Sequence, residues 1–259
     1  MSRVAFLFFF CCCLGVEAQV RVSKLVIKPH EVYIMDSTDI LVADSLVMMD
    51  SSTIRLNGLK SENFIRTNVA IFGNHCVIDG SGINGKRGSD GVNGQTPAGP
   101  CRDGSPGRNG LKGLSGGSGT DLFLYIDKIQ IKGKLTIDLS GGDGGDGGNG
   151  GEGGGGSPGT QHCYGGEGGS GGNGGMGGDG GRGGVLTIGG RDAIIVRALV
   201  GNVLTVKQNG GSFGYGGIRG AGGQPGLGPG RKHGRSGPNG NDGSYGRPGD
   251  GGTILFEEP

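Results

Sequence analysis

The sequence predicts an all-β chain combined with polyglycine II. We expect a β-solenoid or a small sheet base that carries three glycine-rich hairpins, which together make six antiparallel polyglycine II helices. Glycine supplies 67 of the 259 residues and recurs with a period of three, which is the period of a polyproline II type helix. Short apolar or alternating runs, typical of strands, lie between the glycine segments. Glycine-rich segments and strand-like segments alternate three times along the chain, which indicates an internal repeat.

The first 18 residues have the pattern of a secretory signal peptide. Arg3 provides a short positive region, an apolar run extends from Val4 to Leu14, and small residues precede a cut after Ala18. The apolar run is too short to span a bilayer, so we expect a secreted, extracellular protein without a membrane span. The formal net charge of +1, with both signs scattered, predicts no nucleic-acid partner.

Residues 19–79 form the predicted β-rich N-terminal segment. Its short apolar runs are separated by turn residues such as Lys28-Pro29 and Asn57-Gly58. An exposed strand is a template for pairing with another chain. We therefore expect self-association, as a homo-oligomer or a filament, through the β segments.

Residues 80–259 contain three repeats of a glycine hairpin with flanking strands. In each repeat a run of glycine triplets reaches a short tip and a second run returns from it. The strict triplet phase argues against a flexible linker, and the short runs with little proline argue against a collagen triple helix. The glycine segments are residues 80–119, 141–184 and 210–252.

Three cysteines remain once the signal peptide is removed. In an oxidising compartment an odd number implies one pair and one cysteine left over. Cys101 lies in the first tip and Cys163 in the second, so we expect a disulfide that joins two hairpins far from the base. Cys76 begins an entering strand and is expected to be buried and free, with a cross-link between chains as the alternative.

No catalytic, cofactor or metal site emerges, and we expect a non-enzymatic protein without cofactors. The stretch from Gly80 to Gly85 fits G-x-G-x-x-G, but no helix-forming segment follows it, and Arg87 replaces the Ser or Thr of a P-loop. The four histidines lack zinc-site spacing. Acidic residues in the glycine runs are expected to be solvated charges, with weak calcium binding as the alternative: Asp143, Asp146, Glu152, Glu167 and Asp179.

The Gly-Gly-X runs with tip cysteines, such as GGEGGSGGNGGMGGDGGRGG, resemble polyglycine II bundle proteins. These include the snow flea antifreeze protein, glycine-rich tips of phage adhesins and mastigoneme-type filament proteins. The resemblance is limited to the glycine segments and implies a local conformation, since such proteins serve ice binding, receptor recognition and filament building. Large or charged third residues, such as Asp143 and Arg182, argue against a flat ice-binding face.

The predicted function is structural: a subunit of an extracellular filament or matrix, stabilised by polyglycine II packing. The alternative is a surface-binding adhesin whose tips are recognition loops on a scaffold, with a carbohydrate or another surface ligand as partner. Ice binding ranks third. The tip residues assigned to recognition are Arg102, Asp103, His162, Tyr164, Lys232 and His233.

Overall fold

The computed structural model describes residues 20–35 and 38–257, so the predicted signal peptide lies outside the described residues. One α-helix, α1 (Ala193–Leu199), and a short 3-10 helix (Pro229–Arg231) accompany the strands. Neither has the length and apolar character to cross a membrane. The strands are β1 (Val20–Ile27), β2 (Val32–Ile34), β3 (Ile40–Met48), β4 (Thr53–Arg55), β5 (Glu62–Phe72), β6 (Cys76–Asp79), β7 (Asp121–Ile131), β8 (Leu135–Asp138), β9 (Leu186–Gly189), β10 (Leu204–Lys207) and β11 (Ile254–Phe256).

The strands form two parallel sheets. One has the order β1-β3-β5-β7-β9-β11 and the other the order β10-β8-β6-β4-β2. Successive strands therefore alternate between the sheets, and each strand pairs with the strand two elements later. The longest ladder joins β5 to β7, from Glu62 opposite Asp121 to Phe72 opposite Ile131.

The apolar core is built from one face of each strand. Burial alternates along β6 and β8, where every second side chain is buried. Phe72, Ile78 and Ile137 are fully buried in one cluster, and the rings of Phe64 and Phe123 stack on neighbouring strands with centroids 4.6 Å apart. Burial of these apolar side chains is the main force that holds the sheets.

The predicted fold class is wrong. The strands form two open parallel sheets with an intervening α-helix, not a closed β-solenoid or a small all-β base. Alternating apolar residues report which face of a strand is buried, but they do not identify its partner or direction. Residues 193–199 belong to one of the apolar runs between glycine segments that the sequence predicts to be β-rich. In the folded chain Ala193 and Val196, three residues apart, are both buried. A helix places residues at this spacing on one face, so burial of that face favours the helix over a strand.

Six glycine-rich runs lie outside the helices and strands. Their backbone N–H groups donate to neighbouring runs at one or two residues of each triplet, as Gly85 does to the Asp143 carbonyl (2.7 Å) and Leu111 to the Ser89 carbonyl (2.8 Å). Runs of odd number pair parallel with each other, as do runs of even number, and odd runs pair antiparallel with even runs. We name them run 1 (80–95), run 2 (104–119), run 3 (141–156), run 4 (165–184), run 5 (210–226) and run 6 (234–252).

The number of neighbours explains why the middle hairpin is richest in glycine. Runs 3 and 4 each bond to four other runs, whereas runs 1 and 6 bond to two. A Cβ on Gly147 would collide with the Gly175 carbonyl in run 4, and a Cβ on Gly148 would collide with the Ser89 carbonyl in run 1. Two faces of run 3 must therefore be bare, which requires two glycines in each triplet.

Candidate functional site

The three tips meet at the end of the runs opposite to the strands. They are tip 1 (97–103), tip 2 (157–164) and tip 3 (227–233). Cys101 N–H donates to the Pro158 carbonyl (2.8 Å), and Gly159 N–H donates to the Leu227 carbonyl (2.9 Å). Tips 1 and 2 are also joined by the Cys101–Cys163 disulfide, the pair expected from the sequence. Tip 3 is held to tip 2 by hydrogen bonds without a covalent link.

Two non-glycine tip residues have left-handed backbone conformations. Cys101 has φ 61° and Arg231 has φ 67°, a region that side chains with a Cβ disfavour. Such conformations persist where the surroundings hold them, and they concentrate at functional sites. The bond from Cys101 N–H to tip 2 provides such a constraint. The contact with tip 2 therefore fixes the backbone of tip 1 at Cys101.

A shallow cavity of about 710 Å³ lies where the tips meet. Three of the predicted recognition residues, Asp103, Tyr164 and His233, come from three different tips and line this cavity together. Its lining residues are Cys101, Asp103, Cys163, Tyr164, Gly165, Glu167, His233, Gly234 and Arg235. The folded chain thus gathers side chains that are up to 134 positions apart in sequence.

The other three predicted recognition residues lie beside the cavity. Lys232 Nζ donates to the Gln161 carbonyl (2.7 Å) and lies 6.0 Å from the centre of the Tyr164 ring, within the range of a cation–π contact. Arg102 and His162 are exposed and are not lining residues. The tip surface therefore places Lys232 next to Tyr164 but does not bring Arg102 or His162 into the cavity.

Hydrogen bonds orient two of the lining side chains. His233 Nδ1 accepts from Gly228 N–H (3.1 Å), which leaves Nε2 as the donor of the neutral ring. Asp103 Oδ1 accepts from Glu167 N–H (2.7 Å). Both side chains are thus held in defined positions at the cavity wall.

Sequence reasoning missed Glu167 and Arg235, which line the cavity from the first triplets of runs 4 and 6. Their position directly after a tip was the available signal. With Asp103 and Arg235 the cavity presents acceptors and charged donors, and Tyr164 adds an exposed aromatic ring. This combination suits a polar ligand with an apolar face.

Aspartate and asparagine side chains of the runs cap backbone groups. The N–H of the outward residue in a triplet points away from the run-to-run backbone bonds, and an Asp or Asn of a neighbouring run accepts from it. Asp143 Oδ1 accepts from Ser212 N–H (2.7 Å), and Asp179 Oδ1 accepts from Arg247 N–H (2.7 Å). In residues 20–35 and 38–257 no group of three or more His, Cys, Asp or Glu side chains is arranged to hold a metal ion.

A second cavity, of about 620 Å³, lies between the sheets and the roots of runs 1 and 2. Its wall includes Ile34, Leu59 and Ile83, which are all exposed. The charged lining residues Arg55 and Arg182 pair with Asp79 (3.6 Å) and Asp121 (3.1 Å), respectively. No motif in the sequence indicated this cavity, because its two walls come from distant segments.

Cys76 is fully buried and is the one free cysteine of the described chain. Its Sγ lies 3.2 Å from the Met49 carbonyl. Burial raises the pKa of the Cys76 thiol, although hydrogen bonds to Ser52 and Gly73 oppose the effect. A thiol without solvent access cannot reach another folded chain, so the cross-link alternative has no geometric support.

No protein-family model matches this chain, and no curated protein matches it. Its function therefore has to be inferred from its own geometry.

Proposed function

We propose that the chain is a secreted structural subunit that assembles end to end through the open edges of its two parallel sheets. The observation that carries the proposal is the matching order of the sheets. Both sheets begin with their earliest strand at one end, β1 and β2, and finish with their latest at the other, β11 and β10. A second copy can therefore continue both sheets at once with the same polarity, and such head-to-tail contacts generate filaments.

The backbone of the edge strands has groups available for this contact. Thr53 N–H donates to the Glu31 carbonyl (2.9 Å), and Met35 N–H donates to the Arg55 carbonyl (2.9 Å). Since alternate residues of a strand face opposite sides, the N–H and C=O groups of Val32 and Ile34 point away from β4. Within the described chain, no further strand pairs with this edge, so it is a template for another strand.

The side chains at the two ends are compatible with mutual contact. Continuation of the sheets places β11 of one copy beside β1 of the next, and β10 beside β2. Exposed Arg21 and Lys24 lie on β1, whereas exposed Glu257 follows β11. Head-to-tail contact would therefore place opposite charges at the same junction.

The covalent chemistry supports an extracellular location. The Cys101–Cys163 disulfide fits an oxidising compartment, in agreement with the predicted signal peptide. The glycine runs would then project from each subunit as a hydrogen-bonded unit in which the disulfide crosslinks tips 1 and 2.

The test uses two variants of the secreted chain, each with one end blocked. Ile34→Pro removes an N–H from the free edge of β2, and Val206→Pro does the same for β10, because proline lacks this donor. Light scattering and electron microscopy should show filaments or oligomers for the unmodified chain and monomers for each variant alone. An equimolar mixture should form heterodimers, since each variant retains the end that the other has lost.

Other results would contradict the proposal. A wild-type chain that stays monomeric at every concentration excludes assembly. If Val206→Pro still dimerises alone while Ile34→Pro does not, the contact joins two like ends and cannot propagate. Leu111→Lys is the matched control, because Leu111 is 62% exposed but lies on run 2, away from both sheet edges; circular dichroism checks the fold of each variant.

A second candidate function, recognition of a surface ligand, is favoured by the cavity where the three tips meet. Tyr164, Glu167 and Arg235 line it, and a carbohydrate offers both the apolar ring face and the hydroxyls that such a surface can bind. An array of immobilised glycans tests this. Tyr164→Ala should abolish binding while Ile218→Ala, at an exposed site outside the tips, should retain it; equal binding by both variants contradicts the idea.

A further inference from the structure

Three aromatic side chains cluster on the last hairpin, outside the strands and the tips. Phe213 and Tyr215 belong to run 5, and Tyr245 belongs to run 6. The ring centroids of Tyr215 and Tyr245 are 5.7 Å apart, and each lies within 6 Å of the Phe213 centroid. Tyr215 is 61% exposed and Tyr245 is 65% exposed. Neither proposed function uses this cluster.

The two tyrosines are carried by directly bonded backbones. Gly243 N–H donates to the Gly217 carbonyl (2.9 Å), and Gly246 N–H donates to the Gly214 carbonyl (3.0 Å), so hydrogen bonds flank the pair on both sides. Tyr215 N–H is also capped by Asp146 Oδ1 (2.7 Å). Two exposed phenols are thus held side by side by hydrogen-bonded backbones.

The last hairpin is also where a covalent link is missing. The disulfide joins the first two tips, whereas the third hairpin contains no cysteine. Run 6 bonds to runs 4 and 5 and has no neighbour beyond them in the described chain. It is therefore the run most easily lost by fraying, since its bonds are solvent-accessible and few.

We propose that Tyr215 and Tyr245 form an oxidative cross-linking site, which joins runs 5 and 6 through a dityrosine. The inference rests on the proposed extracellular location, where a haem peroxidase with hydrogen peroxide can act as oxidant, and it does not require end-to-end assembly. The pair is the one place in the described chain where two tyrosine rings are in contact.

The chemistry balances with one molecule of hydrogen peroxide. Each phenol loses one electron and one proton to the oxidant and becomes a phenoxyl radical. The radicals join through the ring carbons next to the phenolic carbons, and each ring regains aromaticity as the hydrogen on its bonding carbon moves to its oxygen. Two electrons and two protons reduce the peroxide to two waters, so that two tyrosines yield one dityrosine.

The remaining tyrosines provide internal controls. Tyr164 is 65% exposed, but its ring contacts Lys232 and no other tyrosine of the described chain. Tyr33 and Tyr125 are partly buried in the sheets. If exposure alone controlled the reaction, Tyr164 would form dityrosine between chains. The ring contact instead predicts dityrosine within one chain, between Tyr215 and Tyr245.

The experiment treats the dilute, full secreted chain with a haem peroxidase and hydrogen peroxide, followed by trypsin and mass spectrometry. We expect peptide 208–219 joined to peptide 236–259, with the loss of two hydrogens and with the intact protein still at monomer size on a denaturing gel. Tyr164→Phe should give the same product. Tyr215→Phe and Tyr245→Phe should reduce dityrosine fluorescence to background while circular dichroism stays unchanged.

Two outcomes would overturn the inference. One is dityrosine formed mainly between chains through Tyr164; the other is an unchanged yield in Tyr245→Phe. Repeating the reaction on the Ile34→Pro variant separates the two proposals, because its internal coupling should persist where end-to-end assembly is blocked.

Discussion

The sheets and the glycine runs are equally regular but are held together in opposite ways. Between the sheets, large apolar side chains such as Phe72 fill the core and are fully buried. In the runs, the buried positions are mainly glycine, and backbone hydrogen bonds at one or two residues of each triplet join the neighbours. Removal of side-chain atoms should therefore damage the sheets, whereas addition of side-chain atoms should damage the runs.

The largest effect is expected from a truncation in the sheets. Phe72→Ala removes a buried ring and leaves a cavity, which should lower the free energy of unfolding by about 3–5 kcal/mol. Urea unfolding followed by circular dichroism measures the change. A loss below about 1 kcal/mol, in the range of surface substitutions, would mean that the core between the sheets does not carry the stability assigned to it.

The second-largest effect is expected from loss of the disulfide that joins tips 1 and 2. Replacement of both Cys101 and Cys163 by serine releases a loop of 62 residues, and loss of a disulfide of this kind should destabilise the chain by about 2–4 kcal/mol. Hydrogen exchange should localise the loss to the first two tips. Uniform loss of protection through the sheets would show that the two regions are not distinct.

A single added methyl group tests the runs directly. The Cβ of Gly154→Ala would collide with the Gln95 backbone, and such overpacking should reduce the free energy of unfolding by about 1–3 kcal/mol. The adjacent Gly155→Ala is the matched control. Its Cβ would meet the Thr96 side chain at 3.1 Å and the Gln224 carbonyl at 3.7 Å, with no backbone atom closer than that, so a change within about 0.5 kcal/mol is expected. Equal effects in thermal unfolding would refute the close-contact explanation.

A smaller effect is expected from loss of a cap on the runs. Asn173 Oδ1 accepts from Asn241 N–H (2.8 Å), and Asn173→Ala leaves this donor to solvent at a cost of about 1 kcal/mol. Met176→Ala removes a neutral side chain at the next outward position of run 4. If both variants unfold at the same urea concentration, capping does not contribute.

The smallest effect is the pH dependence of the sheet core. Burial raises the pKa of the Cys76 thiol, so the folded state holds the thiol neutral while the unfolded state ionises near pH 8.5, its approximate ordinary pKa. The contribution is complete below that pH and is lost as the pH rises through the folded pKa. Between pH 7 and 10 the free energy of unfolding should therefore fall more steeply in the unmodified chain than in Cys76→Ala. Parallel curves would assign the slope to other groups, such as Tyr125, whose pKa is also raised.

Local periodicity carried much of the information about the runs. The triplet phase of residues 141–184 marks the faces that other backbones can approach, because only glycine leaves room for them. The cysteine positions in two tips were sufficient to select Cys101 and Cys163 as partners. Alternating apolar residues likewise located most of the strands.

The candidate site was only partly predictable, because it draws on three hairpins. Asp103, Tyr164 and His233 were identified by their position in tips, yet no local pattern shows that they share one cavity. Glu167 and Arg235 complete it from the neighbouring runs. Which outward residue lies beside the cavity depends on the relative register of the hairpins.

By itself the sequence determined which positions require glycine, where most strands form and which two cysteines pair. Only the tertiary structure decided that the strands pair in parallel in two sheets, that residues 193–199 turn into a helix, and that Tyr215 meets Tyr245. The physical reason is that periodicity describes the faces of one segment. The partner of each face is chosen by packing and hydrogen bonds between segments that lie far apart in the chain.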